Sequence, residues 1–353
     1  MVDLLGACMN KLGKYFWVGF FLLIFLIFLV TIRVTKPRIL ILSSYSQNNQ
    51  ISQYIKLGAD TSLTGNRIPV SVLTHYMGIN TTSNSEQVIR RYNEALSVIN
   101  HFDPNVLVAV GFDANRLLAE RMDKFSPSMW IIPVSVDSEL PDIGYQKNTN
   151  VIGVIRRMPY LGIEEFLSKA EQRQKIQVAI IGADTPSNQV RIHQLEQIHS
   201  NNIEIKGKLL SNCFKDWKQF ILPLPSKIDG LLILPTQKLQ EECGPGMSLL
   251  SGDQFIPWIE ANSTPLPIGL EGSFVRNGGA LSFYPSYEEE GSLAISLALD
   301  ILKSKDTTGI RPIYSDSYQI ALKKERLEKR GISIPNVYLQ YGAKSGINYR
   351  DFE

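Results

Sequence analysis

The 353-residue sequence lacks a GxSxG elbow, an HExxH pair, a GxxxxGK[ST] loop and a GxGxxG turn. Those absences remove the serine-hydrolase, zinc-peptidase, P-loop and dinucleotide-binding readings in turn, because each chemistry needs its residues at that spacing. Histidine is scarce, at 4 residues, and cysteine scarcer, at 3. His193 and His199 stand six apart on one expected helix, hence on different faces, which denies them a shared metal. Cys8, Cys213 and Cys243 form no CxxC pair and no zinc-like cluster. Cys213 and Cys243 either pair in an oxidising space or stay as two partly buried thiols; spacing leaves both open. No excess of charge exists either: 36 Lys plus Arg face 34 Asp plus Glu, a net +2. A nucleic-acid partner is therefore not expected, since such a surface must be basic to release counterions. The acids Glu288, Glu289 and Glu290 read as negative charge at a helix start, and Gly244-Pro245-Gly246 as a turn opening a helix. No cofactor, no metal and no catalytic activity are expected.

What the sequence has is one long apolar run. Residues 15–32 (YFWVGFFLLIFLIFLVTI) carry no charge and, as a helix, span ~27 Å at ~1.5 Å per residue, close to the hydrocarbon thickness of a bilayer. Lys11 and Lys14 precede the run, Arg33, Lys36 and Arg38 come after it, and Tyr15 and Trp17 suit the headgroup belt. The run is too long for a signal-peptide core and no small-residue cleavage site succeeds it. Cys8 lies before it, on the wrong side for a lipoprotein. The expectation is a retained transmembrane anchor contacting the lipid bilayer through residues 15–32. Flanking charge slightly favours a cytoplasmic location for the chain beyond Ile32.

From Arg38 onward, short apolar runs alternate with amphipathic stretches. Strands are expected at 39–43, 70–76, 106–110, 130–136, 151–155, 178–181, 203–209, 230–234, 266–270 and 280–284. Most are continuous runs of β-branched residues and leucine, the pattern of strands buried on both faces of a parallel sheet. Helices are expected at 85–100, 114–124, 187–200 and 288–303, and the charged run 323–330 reads as a solvated helix face. The fold class is α/β, with parallel sheets flanked by helices. So many strands need two sheets, and no low-complexity linker separates them. The expected division is a tail and anchor over 1–36, lobe one over 37–136 and 265–305, lobe two over 137–264 and 306–335, and a tail over 336–353.

Ligands of open parallel sheets bind at the carboxyl edge of the strands, near free helix N–H groups. Polar residues collect there: Ser44 and Tyr45 after the first strand, Asp137 after the fourth, then Asp184, Ser187 and Asn188, Thr236, and Glu271. Singly, each also fits a helix cap or a packing role. Together they outline a cleft for a small polar or zwitterionic ligand. Asp137, Asp184 or Glu271 would receive an ammonium, the hydroxyls of Ser44, Ser187 and Thr236 a carboxylate, and Tyr45 an apolar side chain.

Several stretches also resemble a known family: Ile131-Ile132-Pro133-Val134-Ser135-Val136-Asp137, Asn150-Val151-Ile152-Gly153-Val154, Ile180 to Asn188 (IIGADTPSN), Asp229 to Thr236 (DGLLILPT), and Leu327 to Pro335 (LEKRGISIP). In order and spacing, 38–335 is similar to the ABC-transporter substrate-binding proteins of the tryptophan- or tyrosine-type uptake branch, with the type I periplasmic binding fold. Leu42-Ser43-Ser44-Tyr45 is more like related extracytoplasmic sensor domains. The family's Asp-Pro after the fourth strand is Asp137-Ser138 here, and its Asp-Asn after the Pro-Thr strand is Gln237-Lys238. The resemblance implies a two-lobed solute-binding protein on the periplasmic side of the inner membrane, serving an ABC permease. The alternative it leaves is a sensing or interaction subunit of a membrane complex with a degenerate cleft.

Overall fold

The computed structural model describes residues 20–25, 36–79, 83–137, 144–145, 150–197, 202–244, 247–304, 309–336 and 338. Among the described residues no helix is long and apolar enough to cross a membrane. The expected anchor, 15–32, lies outside them except for 20–25, which are helical with exposed side chains. The expected C-terminal tail lies outside them except for residues 336 and 338.

The first sheet is built from β1 (Arg38–Ser43), β2 (Ser71–Tyr76), β3 (Val106–Val110) and β4 (Trp130–Val134), all parallel, in the order β2-β1-β3-β4. The connecting helices are α1 (Gln50–Thr64), α2 (Ser85–Phe102) and α3 (Phe112–Glu120). Alternate strand residues feed two cores. Ile41, Val108 and Ile132 pack beneath one face, while Leu40, Leu107 and Ile131 meet α2 and α3 on the other. Burial on both faces is the reason these strands read as unbroken apolar runs.

The chain then passes through β5 (Val154–Arg156) into α4 (Tyr160–Glu171), β6 (Ile176–Gly182), α5 (Pro186–Gln197), β7 (Ile203–Leu210), α6 (Phe214–Ile221), β8 (Gly230–Ile233) and α7 (Gly252–Asn262). It continues with β9 (Leu266–Gly269), α8 (Ser273–Arg276), β10 (Leu281–Pro285), α9 (Tyr287–Lys303), β11 (Ile313–Ser315), β12 (Tyr318–Leu322) and α10 (Lys324–Lys329). The second sheet runs β12-β10-β9-β8-β6-β7, parallel except for β12 against β10. Its faces carry separate cores, one around Phe166, Ile180 and Phe283, the other around Trp217, Leu231 and Phe255.

This topology corrects the expected division in three places, the first being 151–156, assigned to lobe two, which bridge to Ile131 and Val136 and pair with β11 beside the first sheet. Residues 265–285, assigned to lobe one, form β9 and β10, which pair with β8 and with each other in the second sheet. Only α9 returns to lobe one. Residues 313–315, assigned to lobe two, pair with β5 beside the first sheet. The crossings therefore come after Arg156, Pro285 and Ser315. Strand pairing is non-local, and an apolar run does not encode which sheet it joins.

Two features fix the lobes internally. Cys213 and Cys243 form a disulfide, with Cα atoms 5.1 Å apart, that ties the start of α6 to the loop before α7. Helix α9 packs directly on α1, where a Cβ at Gly291 would fall on the Ile55 carbonyl and one at Gly58 on the Glu288 carbonyl. Gly291→Ala must push the helices apart, and we expect it to cost about 1–3 kcal/mol. Urea unfolding should show a lower midpoint with an unchanged slope.

Candidate functional site

The strand ends of both sheets meet at a junction held by a chain of buried charges. Glu290, in the first turn of α9, is 0% exposed. It accepts from Arg156 Nε at 2.6 Å, Arg156 Nη2 at 3.0 Å and Ser135 Oγ at 2.5 Å. Ser135 reaches it from the end of β4 with φ at +59°, a left-handed backbone that non-glycine residues seldom hold. Arg156 also stacks over the Tyr287 ring, 5.0 Å from its centroid. Its Nη1 lies 3.8 Å from Asp137 Oδ1. The other oxygen, Asp137 Oδ2, accepts from Arg191 Nη2 at 2.8 Å, and this bond joins lobe one to α5 of lobe two.

Arg191 is held from behind. Its Nη1 donates to Asn188 Oδ1 at 2.8 Å, and Asn188 Nδ2 donates to the carbonyls of Ala183 and Pro235, each at 2.8 Å. Gln194 Nε2 adds bonds to the Asp137 carbonyl at 2.8 Å and the Arg156 carbonyl at 3.2 Å. The signs alternate Glu290, Arg156, Asp137, Arg191, so the chain of charges is neutral. Burial by itself lowers the Arg156 pKa, but the carboxylates of Glu290 and Asp137 outweigh it and hold the guanidinium well above its ordinary value. Asp137 Oδ1 and Arg191 Nε are buried without a hydrogen-bond partner.

Cavities open on either side of this junction. One of about 460 Å³ is lined from lobe one by Asn49, Ile51 and Tyr287 and from lobe two by Thr236, Glu271 and Asn277. Another of about 460 Å³ takes Phe112, Ser135 and Asp137 from lobe one and Ser187 from lobe two. A third, about 860 Å³, runs along the crossings past Arg156, Tyr160 and Tyr314. Glu271 is half-buried and accepts from the neutral Gln237 Nε2 at 2.8 Å. Burial pushes its carboxyl above the ordinary glutamate pKa, while Arg191, the Gln237 hydrogen bond and Arg156 pull the other way.

The residues expected at one cleft are thus divided. Asp137 and Ser187 line one cavity, Thr236 and Glu271 another. Tyr45 is half-buried at the junction, where burial raises its hydroxyl pKa. Ser44 is a structural tie: its hydroxyl donates to the Val110 carbonyl and accepts from the Ala114 N–H, both at 2.9 Å. Asn188 is spent on clamping Arg191. Asp184 is exposed and bonds Gln189 at 3.2 Å, and Asp137 is already matched to arginine, so neither stands free for an ammonium as expected. The reading of Glu290 as dipole charge was incomplete, and Arg156 and Arg191 were missed. A signal existed for Glu290, which precedes Leu293 and Leu297 by three and seven residues and so shares their inward face. Nothing local distinguishes Arg191 from a surface arginine.

No family model and no curated protein matches the sequence. Solved structures match the fold along most of the chain. A substrate binding protein with adhesive properties from Clostridium difficile, CD0873, in its ligand-free, open structure, aligns with a TM-score of 0.63 at 15% identity, over 85% of this chain and 96% of that one. A conserved domain protein from Vibrio cholerae gives 0.56 at 13% identity, over 87% and 98%. An ABC domain in complex with L-Trp from Streptococcus pneumonia gives 0.55 at 14%, over 86% and 98%. The chain has the type I periplasmic binding fold. At these identities the likeness establishes architecture, and function must be argued from the site.

Removing one member of the charge chain strands its partner. We expect Arg156→Ala to cost about 3–5 kcal/mol, since Glu290 would remain buried without its cation. Arg91→Ala, which breaks the exposed Arg91–Glu94 pair, should cost less than about 1 kcal/mol. Parallel urea titrations compare the two.

Proposed function

We propose that this chain is a membrane-anchored, extracytoplasmic binding protein that takes a small amino-acid-like solute between its lobes for delivery to an ABC permease. The observation that carries this reading is Glu271, a half-buried carboxylate in a cavity formed by both lobes whose bonded partner is the uncharged Gln237. A carboxylate leaving water needs a cation, and a solute ammonium supplies one. Tyr287 and Thr236 in the same cavity offer an aromatic face and a hydroxyl. The fold is shared with a protein solved bound to L-Trp, and the Cys213–Cys243 disulfide suits an oxidising compartment. Residues 15–32 act as the anchor in this reading. Binding and release, with no covalent step, make up its activity.

A second reading, a sensing or interaction subunit with an unused cleft, is favoured by one observation: Asp137 and Arg191 already close the junction with the chain's own charges.

The full-length protein in detergent, screened by thermal shift against the twenty L-amino acids, separates the two. A bound solute at a hundred times its Kd should add ~2.7 kcal/mol of stability. Glu271→Gln should then weaken binding about 10- to 100-fold, the worth of a charged hydrogen bond. Because only the ionised carboxylate pairs with ammonium, affinity should fall as pH drops through the raised Glu271 pKa. A reporter fused after Glu353 should be active outside the cytoplasm. No response to any solute favours the second reading.

A further inference from the structure

Two buried atoms at the junction are left over, Arg191 Nε and Asp137 Oδ1. A guanidinium presents two parallel N–H groups along the edge formed by Nε and Nη2, and a carboxylate matches that edge with two bonds. Asp137 uses half of it. Oδ2 takes Nη2 of Arg191 at 2.8 Å, while Arg191 Nε has no partner and Asp137 Oδ1 has none either. A carboxylate native to this edge would leave neither atom over.

The edge is prepared by lobe two alone. Asn188 holds the opposite side of the guanidinium, and Asn188 is itself fixed by two backbone carbonyls of its own lobe. Parting the lobes would therefore expose Arg191 in the same orientation, with Nε and Nη2 both free. Asp137 belongs to lobe one, just beyond β4, and has somewhere to go: Arg156 Nη1, its ion-pair partner at 3.8 Å from Oδ1. Closing that gap compensates the Asp137 charge while a second carboxylate compensates Arg191. Arg191 is the leading charge that opposes the rise of the Glu271 pKa, and since it lines neither neighbouring cavity in this structure, a zwitterion with its amine at Glu271 would reach it only once the lobes part.

Resting on the amino-acid-like solute proposed above, we propose that Arg191 is the anchor for the solute's carboxylate and that Asp137 is an internal stand-in that occupies it in the empty protein. Arg191 Nε is buried while Asp137 holds Arg191, so the solute reaches it when the lobes part. The stand-in then competes with the solute, and the apparent affinity is reduced by the fraction of molecules in which Asp137 still holds Arg191. This reverses the usual expectation for a carboxylate at a binding junction. Neutralising it should strengthen binding.

The test is calorimetry on the full-length protein in detergent, with the twenty L-amino acids and their carboxamides as probes. The best amino acid should bind about a hundredfold more tightly than its amide. Asp137→Asn should tighten the amino acid about tenfold and leave the weak amide unchanged. Arg191→Lys, which keeps the charge but loses the fork, should weaken the acid and narrow the gap to the amide. If an amino acid binds but its amide binds equally well, or if a folded Asp137→Asn protein binds the acid more weakly, the stand-in is refuted while the cleft reading survives. If neither wild type nor Asp137→Asn binds any probe, the solute reading falls and the stand-in with it. Should Asp137→Asn not fold, the acid-to-amide ratio of the wild type decides alone.

Discussion

A charge taken out of water must be met by an opposite charge, and in this chain that requirement is concentrated at one place, where the two sheets point their strand ends at each other. Glu290, Arg156, Asp137 and Arg191 alternate in sign across the junction and come from α9, β5, the end of β4 and α5. Buried ion pairs contribute little net stability once desolvation is counted, but breaking one is costly. Their effect is to specify geometry. The crossing after Arg156, the return into α9 and the seating of α5 are all fixed relative to one another by who must neutralise whom.

The packing around the junction is of a different kind. Each sheet buries apolar side chains on both faces, so each lobe has two cores. Between the lobes, Tyr287 packs against a core of each, and beside it the contacts are polar and partly unmet, with Asp137 Oδ1 and Arg191 Nε left over. Apolar lobes joined by a seam that is largely polar and incompletely paired suit lobe motion, in which the Tyr287 contact is the main apolar one to give way. Glu271, a carboxylate that faces a cavity with an uncharged partner, lies on that seam.

Much of the architecture was legible because burial on both faces leaves an unambiguous trace: the runs ILILS, VLVAV and GLLIL all became central strands. The short strands β11 and β12 were not foreseen, since Tyr314, Gln319 and their polar neighbours interrupt the apolar signal. Sheet membership of β9 and β10 depends on partners distant in sequence and left no local mark. At the junction, Asp137 and Glu271 stand out in the sequence by their position after a strand. Arg156 was hidden at the end of a three-residue strand and Arg191 inside a helix of low amphipathicity, where arginine ordinarily faces water. Their role is set by the carboxylates opposite them, and those are separated from Arg156 and Arg191 by up to 134 residues.

Whether the seam is closed by the chain's own charges is measured most directly as a distance. Spin labels at Ile89→Cys on α2 and Leu222→Cys beyond α6, both exposed, report the separation of the lobes in a Cys8→Ser background. With no solute added, the protein should give one narrow distance distribution, and Asp137→Asn should broaden it and move it to longer distances. An open, broad distribution in the parent protein, unchanged by Asp137→Asn, would contradict the role given to the Asp137–Arg191 bond.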